Sequence, residues 1–97
     1  MISPGGSWRI SKVANNARKT IESLGLETQE RILVALESLQ ADPFAGDIKK
    51  VKGKVDLYRL RIESFRIYFR VNRPSRSIGV VLIDKRGQIK DKAIERL

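Results

Sequence analysis

The apolar side chains of this chain change their spacing once, and the change falls on the segment ADPFAGD, residues 41–47. Before it they recur every three or four residues; after it they alternate. A repeat near 3.6 lines one side of a helix, and a repeat of two lines one side of a strand. The first half is therefore expected to be mainly helical and the second half a sheet. With 97 residues there is room for one modest core, so residues 1–97 are read as a single α+β domain, with residues 1–7 flexible.

A short strand is expected around Trp8 and Ile10. Ser11 can then cap a helix carrying Val13, Ala17, Ile21 and Leu24, which Gly25 would stop. A second helix is expected from near Thr28, with Ile32, Leu33, Leu36 and Leu39 on its apolar side. It should end before ADP, because Pro43 disfavours helical geometry at Asp42. The short LGLET connection predicts an antiparallel helix hairpin. Residues 55–62, 65–72 and 78–84 read as strands, giving a mainly antiparallel sheet of about four strands. The last of these, IGVVLID, is nearly all apolar, which predicts a strand covered on both faces. Ile89, Ala93, Ile94 and Leu97 predict a short terminal helix.

The most informative stretch is LYRLRIESFRIYFRV, residues 57–71. If Glu63 and Ser64 form the tip of a hairpin, paired residues have numbers that sum to 127. Tyr58, Leu60 and Ile62 then share a face with Phe69, Ile67 and Phe65. The other face carries Arg59, Arg61, Arg66, Tyr68 and Arg70, with Arg61 directly opposite Arg66. Opposed like charges destabilise a sheet. A solvated sheet face also alternates arginine with apolar residues, but it normally mixes in carboxylates, and here Glu63 is at the tip and no Asp or Glu alternates with Arg59, Arg61, Arg66 and Arg70. An anion is the expected counterpart, phosphate above all, because a guanidinium binds it bidentately. Tyr68 would stack on a base or donate a hydrogen bond, and Lys49, Lys50, Lys52 and Lys54 would add contacts to RNA backbone.

Charge distribution points the same way. Residues 48–97 hold fifteen Lys or Arg against five Asp or Glu, while residues 27–47 hold one against five, and the net charge is +9. A polyanionic partner is expected, nucleic acid rather than membrane. Cysteine and histidine are both absent, which removes disulfides, thiolate and imidazole chemistry and the usual zinc ligands, so no metal and no cofactor is expected. No apolar run is long enough to span a bilayer and the N-terminus lacks a signal-peptide core, which predicts a soluble, cytoplasmic protein.

The order of elements, together with LESLQADPFAGDIKKVKGKVDLYRLRIESFRIYFRV and a later VLIDKRGQIKDKA, resembles the RelE/ParE superfamily of type II toxin–antitoxin toxins from about Trp8 to Leu97. The resemblance implies a toxin neutralised by a cognate antitoxin in a heteromeric complex, which would contact operator DNA through the antitoxin. RelE-like members enter the ribosomal A site and cut mRNA by driving a ribose 2′-OH onto the adjacent phosphate. ParE-like members share the fold but act on DNA gyrase. A third alternative is a toxin-derived domain kept for antitoxin binding alone.

Under the RelE-like reading the resemblance assigns catalytic positions to Arg59, Arg61, Arg66 and Arg86. The RelE pattern has lysines at the first two positions and a tyrosine where this chain has Lys90. Because arginine cannot accept a proton at neutral pH, Lys90 is the candidate acceptor for the 2′-OH proton. Trp8 and Phe44 are assigned to the core or to an antitoxin groove.

Overall fold

The computed structural model describes residues 7–85, 87–89 and 91–97. Its elements run β1 (Arg9–Val13), α1 (Asn15–Glu22), α2 (Leu26–Ala41), β2 (Ile48–Lys50), β3 (Leu57–Ile62), β4 (Phe65–Asn72), β5 (Ser77–Lys85) and α3 (Asp91–Glu95). The strands form one five-stranded sheet in the order β1-β5-β4-β3-β2. β1 pairs with β5 in parallel, and the other pairings are antiparallel.

The hairpin register is the one expected: Leu57 through Ile62 pair with Arg70 through Phe65, every pair summing to 127. At the tip Glu63 takes φ 53°, the left-handed conformation usually left to glycine or asparagine, and it reaches back to α2 through Arg31 at 3.3 Å.

One face of the sheet packs on the helices. Leu60, Phe65, Ile67, Phe69, Val71, Ile78, Val80 and Ile83 meet Ala17 of α1 and Ile32, Ala35, Leu36 and Leu39 of α2. α2 ends as predicted, since Asp42 is extended ahead of Pro43 and its Oδ1 accepts the Phe44 N–H at 2.9 Å.

Three expectations are corrected. Ser11 and Val13 belong to β1, which runs on as a parallel edge strand, so α1 starts at Asn15 without a side-chain cap. Gly25 caps the start of α2 rather than ending α1. Leu33 points outward at 49% exposure while Ala35 takes the buried position. The mainly antiparallel sheet of about four strands is borne out, with a fifth strand added where Ile48–Lys50, at the start of the KKVKG run, forms β2.

β5 is covered on both faces, as its continuous apolar run predicts. A bulge makes this possible. Phe69, Arg70, Val71 and Asn72 pair with Val80, Gly79, Ile78 and Ser77, whereas Phe65, Arg66, Ile67 and Tyr68 pair with Lys85, Asp84, Ile83 and Leu82. Val81 is the extra residue, and across it the alternation of β5 changes parity. Ile78 and Val80 face the helices, while Leu82 and Asp84 face the opposite side.

Candidate nucleic-acid interface

On that opposite side, residues paired across neighbouring strands share a face and form rows. Lys49, Arg59, Tyr68 and Leu82 make one row; Arg61, Arg66 and Asp84 make the next; Leu57, Arg70 and Gly79 make a third. Leu57, Tyr68, Leu82 and Asp84 are buried but stand outside the main core cluster, so this face has a small floor of its own. The loop after β2 and α3 contribute to its cover. Val51 N–H donates to the Leu57 carbonyl at 2.8 Å, and Lys54 Nζ donates to the Glu95 carbonyl.

Between these elements lies a cleft of about 320 Å³ lined by Lys49, Lys50, Val51, Lys52, Arg59, Arg66, Tyr68 and Ile94. Among the described residues, five of its eight lining side chains are cationic and none is acidic. β2 makes this possible, because pairing Lys49 with Arg59 sets a lysine of the connecting segment beside an arginine of the hairpin. A concave site with that charge suits a phosphate group.

The arginines are not equivalent. Among the described residues the Arg59 side chain has neither a hydrogen bond nor an ion pair, and it lines the cleft. Arg61 turns toward Asp47 at 3.6 Å and, together with Arg66, lines a second cleft of about 340 Å³ at the hairpin tip. Arg66 therefore borders both clefts, with its Nη1 3.7 Å from Asp84 Oδ2. Arg70 donates to the Val55 carbonyl and lies toward the other end of the sheet, away from the main cleft. Lys54 is engaged by α3 and does not line the cleft.

Tyr68 is on the expected face, but its exposure is only 3%. It forms floor and offers no free ring for a base to stack on in this conformation. Arg86 and Lys90 lie outside the described residues.

Asp84 is the residue that sequence reasoning missed. Its side chain is 0% exposed, and its Oδ1 accepts the Ile89 N–H at 3.0 Å. The carboxylate absent from the arginine face of the hairpin is thus supplied by the next strand. The opposed Arg61 and Arg66 are relieved separately, one by Asp47 and the other by Asp84.

Trp8 and Phe44 form an aromatic ladder with Tyr58 and Phe69, at centroid spacings of 5.8, 5.3 and 5.9 Å. Arg73 lies over Phe44 and donates to the Tyr58 hydroxyl at 2.9 Å, and Arg76 lies over Trp8. The ladder joins the N-terminal strand to the hairpin at the end of the sheet far from the tip.

No curated protein matches the sequence significantly. Among solved structures, a chain of the archaeal RelE–RelB complex from Pyrococcus horikoshii OT3 superposes with a TM-score of 0.74 at 26% identity, covering 86% of this chain and 99% of that one. A chain of the RelB–RelE antitoxin–toxin complex from Methanococcus jannaschii gives 0.63 at 25% identity, covering 87% and 94%. The isolated E. coli RelE toxin gives 0.68 over 92% and 96% of the chains at 18% identity, a likeness of fold alone. The sequence model of the ParE toxin of the type II toxin–antitoxin system parDE matches residues 11–90. With that match spanning most of the sequence and the fold superposing on chains of RelE structures, the chain belongs to the RelE/ParE superfamily of type II toxin–antitoxin toxins.

Proposed function

We propose that this toxin is a ribosome-dependent mRNA endoribonuclease acting in the cytoplasm, which drives a ribose 2′-OH onto the adjacent phosphate. The observation that carries this reading is the cleft between β2, β3, β4 and α3, whose lining among the described residues has five cations and no acid. Lys49, Lys50, Lys52 and Arg59 would draw in the backbone phosphates, and Arg59 with Arg66 would hold the scissile group. Two guanidinium groups on one phosphate also stabilise the extra negative charge of a pentavalent transition state. Arg61, which lines the tip cleft shared with Arg66, would contact the neighbouring nucleotide. Arg86 on the leaving side and Lys90 as proton acceptor complete the proposal.

The partner we propose is a cognate antitoxin with an acidic segment for the cleft and an apolar segment for the outer face of α2, where Leu33 and Val34 are 49% and 63% exposed. The P. horikoshii neighbour is a RelE–RelB complex. Contact with operator DNA would run through that antitoxin.

A second reading is inhibition of DNA gyrase without nuclease activity. The matching family model is that of the ParE toxin, and Tyr68 is buried rather than offered for stacking.

Tightly induced expression, with methionine and thymidine incorporation followed over the first minutes, separates the two. Methionine incorporation is expected to fall first, with mRNA ends inside codons, and Arg59→Gln should relieve the fall at unchanged protein level. An earlier fall in thymidine incorporation would overturn the nuclease reading in favour of gyrase. Harmless expression would leave only the antitoxin-binding role.

A further inference from the structure

Asp84 is a fully buried acid beside a cleft suited to anions, and the phosphate-holding role described above does not use it. Coulomb's law makes its presence unfavourable there, since a carboxylate beside Arg66 lowers the positive potential that attracts phosphate. Burial adds a desolvation penalty, which is offset only when the geometry of the ion pair is good. The carboxylate is not the missing base, because it is 0% exposed and no 2′-OH reaches it.

Its geometry suggests another role. Oδ1 is taken by the Ile89 N–H, while Oδ2 has no hydrogen-bond partner among the described residues and lies 3.7 Å from Arg66 Nη1. A guanidinium is a rigid plane with five N–H donors, so holding one edge fixes where the others point. Arg66 is the side chain common to both clefts, and Gly87, at φ 67°, lies close enough that a Cβ there would sit 3.6 Å from Arg66 Nη1. The bulge at Val81 is what turns Asp84 to this face.

We infer that Asp84 is a positioning residue that orients the Arg66 guanidinium for bidentate capture of an RNA phosphate. This rests on the reading of the cleft as an RNA-phosphate site. Positioning and simple charge predict opposite signs. If Asp84 acted only through its charge, removing that charge would tighten RNA binding; if it positions Arg66, removal loosens binding although the net charge rises by one.

The probe is a fluorescein-labelled single-stranded RNA with 2′-O-methyl riboses, which cannot be cleaved, followed by anisotropy with the full chain. Asp84→Asn retains an oxygen for the Ile89 N–H, but loses the charge and replaces the oxygen facing Arg66 by an NH2 that cannot accept from it. It is expected to weaken binding by about fivefold or more in the wild-type background, and to have little effect when Arg66→Gln is already present. Thermal melting shows that only folded protein is compared. Tighter binding in Asp84→Asn, or an equal loss with and without Arg66, overturns the positioning role while the cleft reading stands.

If Asp84→Asn does not fold, Asp84→Glu keeps the charge and moves the carboxylate by one methylene. Weaker binding is again expected, and unchanged binding overturns the inference. In the wild-type chain, NMR should show slower guanidinium rotation at Arg66 than at Arg59, and equal rotation counts against the inference without any substitution. Should the wild type fail to bind the RNA, or bind it without need of Arg59, the cleft reading falls and the role of Asp84 falls with it.

Discussion

Arg59 and Arg66 line the same cleft, but they respond differently to substitution. Arg66 compensates a buried carboxylate, and removing one partner of a buried pair costs about 3–5 kcal/mol. Because the Arg66 side chain is 39% exposed and water would partly screen the orphaned charge, about 1–3 kcal/mol is expected for Arg66→Ala. Arg59→Gln should stay within about 0.5 kcal/mol of wild type. Urea unfolding of the two variants checks the contrast, and equal stabilities would mean that Asp84 is not held by Arg66. Loss of toxicity in Arg66→Ala therefore mixes a lost contact with a lost fold, whereas Arg59→Gln reports on the site. Arg59, Arg61 and Arg66 could be placed on one face from the sequence because the hairpin alternates strictly and its tip is short. Asp84 could not, since the run before it in β5 is almost all apolar and alternation there carries no information.

The bulge in β5 gives this difficulty its physical cause. Carried on without a bulge, the pairing of Ile78 with Val71 would put Ile83 opposite Arg66 and turn Asp84 toward the helices. The extra residue Val81 reverses that parity. Deleting Val81 should leave the pairs on either side intact, and the variant is expected to keep a cooperative thermal melt. Deleting Ile83 would move Asp84 opposite Ile67 and drive a carboxylate into the helix-packed core, so no cooperative melt is expected. Similar melts for the two deletions would show that the bulge does not set the face of Asp84. Other elements were legible to different degrees. α2 announced its end at Pro43. β2 was hidden, because three residues with two lysines show no strand pattern until β3 lies beside them. Ser11 looked like a helix cap, but the parallel pairing with β5 claims that segment as strand.

At the scale of the molecule, charge separates into an acidic, partly apolar α2 side and a basic opposite face. The groove along α2 is lined by Glu27, Glu30 and Glu63 with Val34, Leu60 and Ile62 among their neighbours, while the cleft lining among the described residues is cationic without acid. RNA binding in the cleft should therefore depend steeply on salt. With about four phosphate contacts the logarithm of affinity is expected to fall with the logarithm of salt at a slope near −3. Lys49→Gln and Lys52→Gln should each make that slope shallower by about 0.7, and anisotropy at several salt concentrations measures it. Slopes unchanged by both substitutions would remove the lysines from the interface.

The pairing of β1 with β5 also bears on when the toxin site comes into being. Arg9 pairs with Ser77, so the first strand to be synthesised waits for almost the last. Contacts between such distant residues close large loops and form late in folding. The strand that closes this loop also supplies Asp84 to Arg66 and leads into the segment whose Ile89 N–H binds the same carboxylate. Completing the scaffold and assembling the basic cleft are then one event. A chain still being made, or cut short before β5, carries the acidic α2 and the arginine hairpin without a finished site.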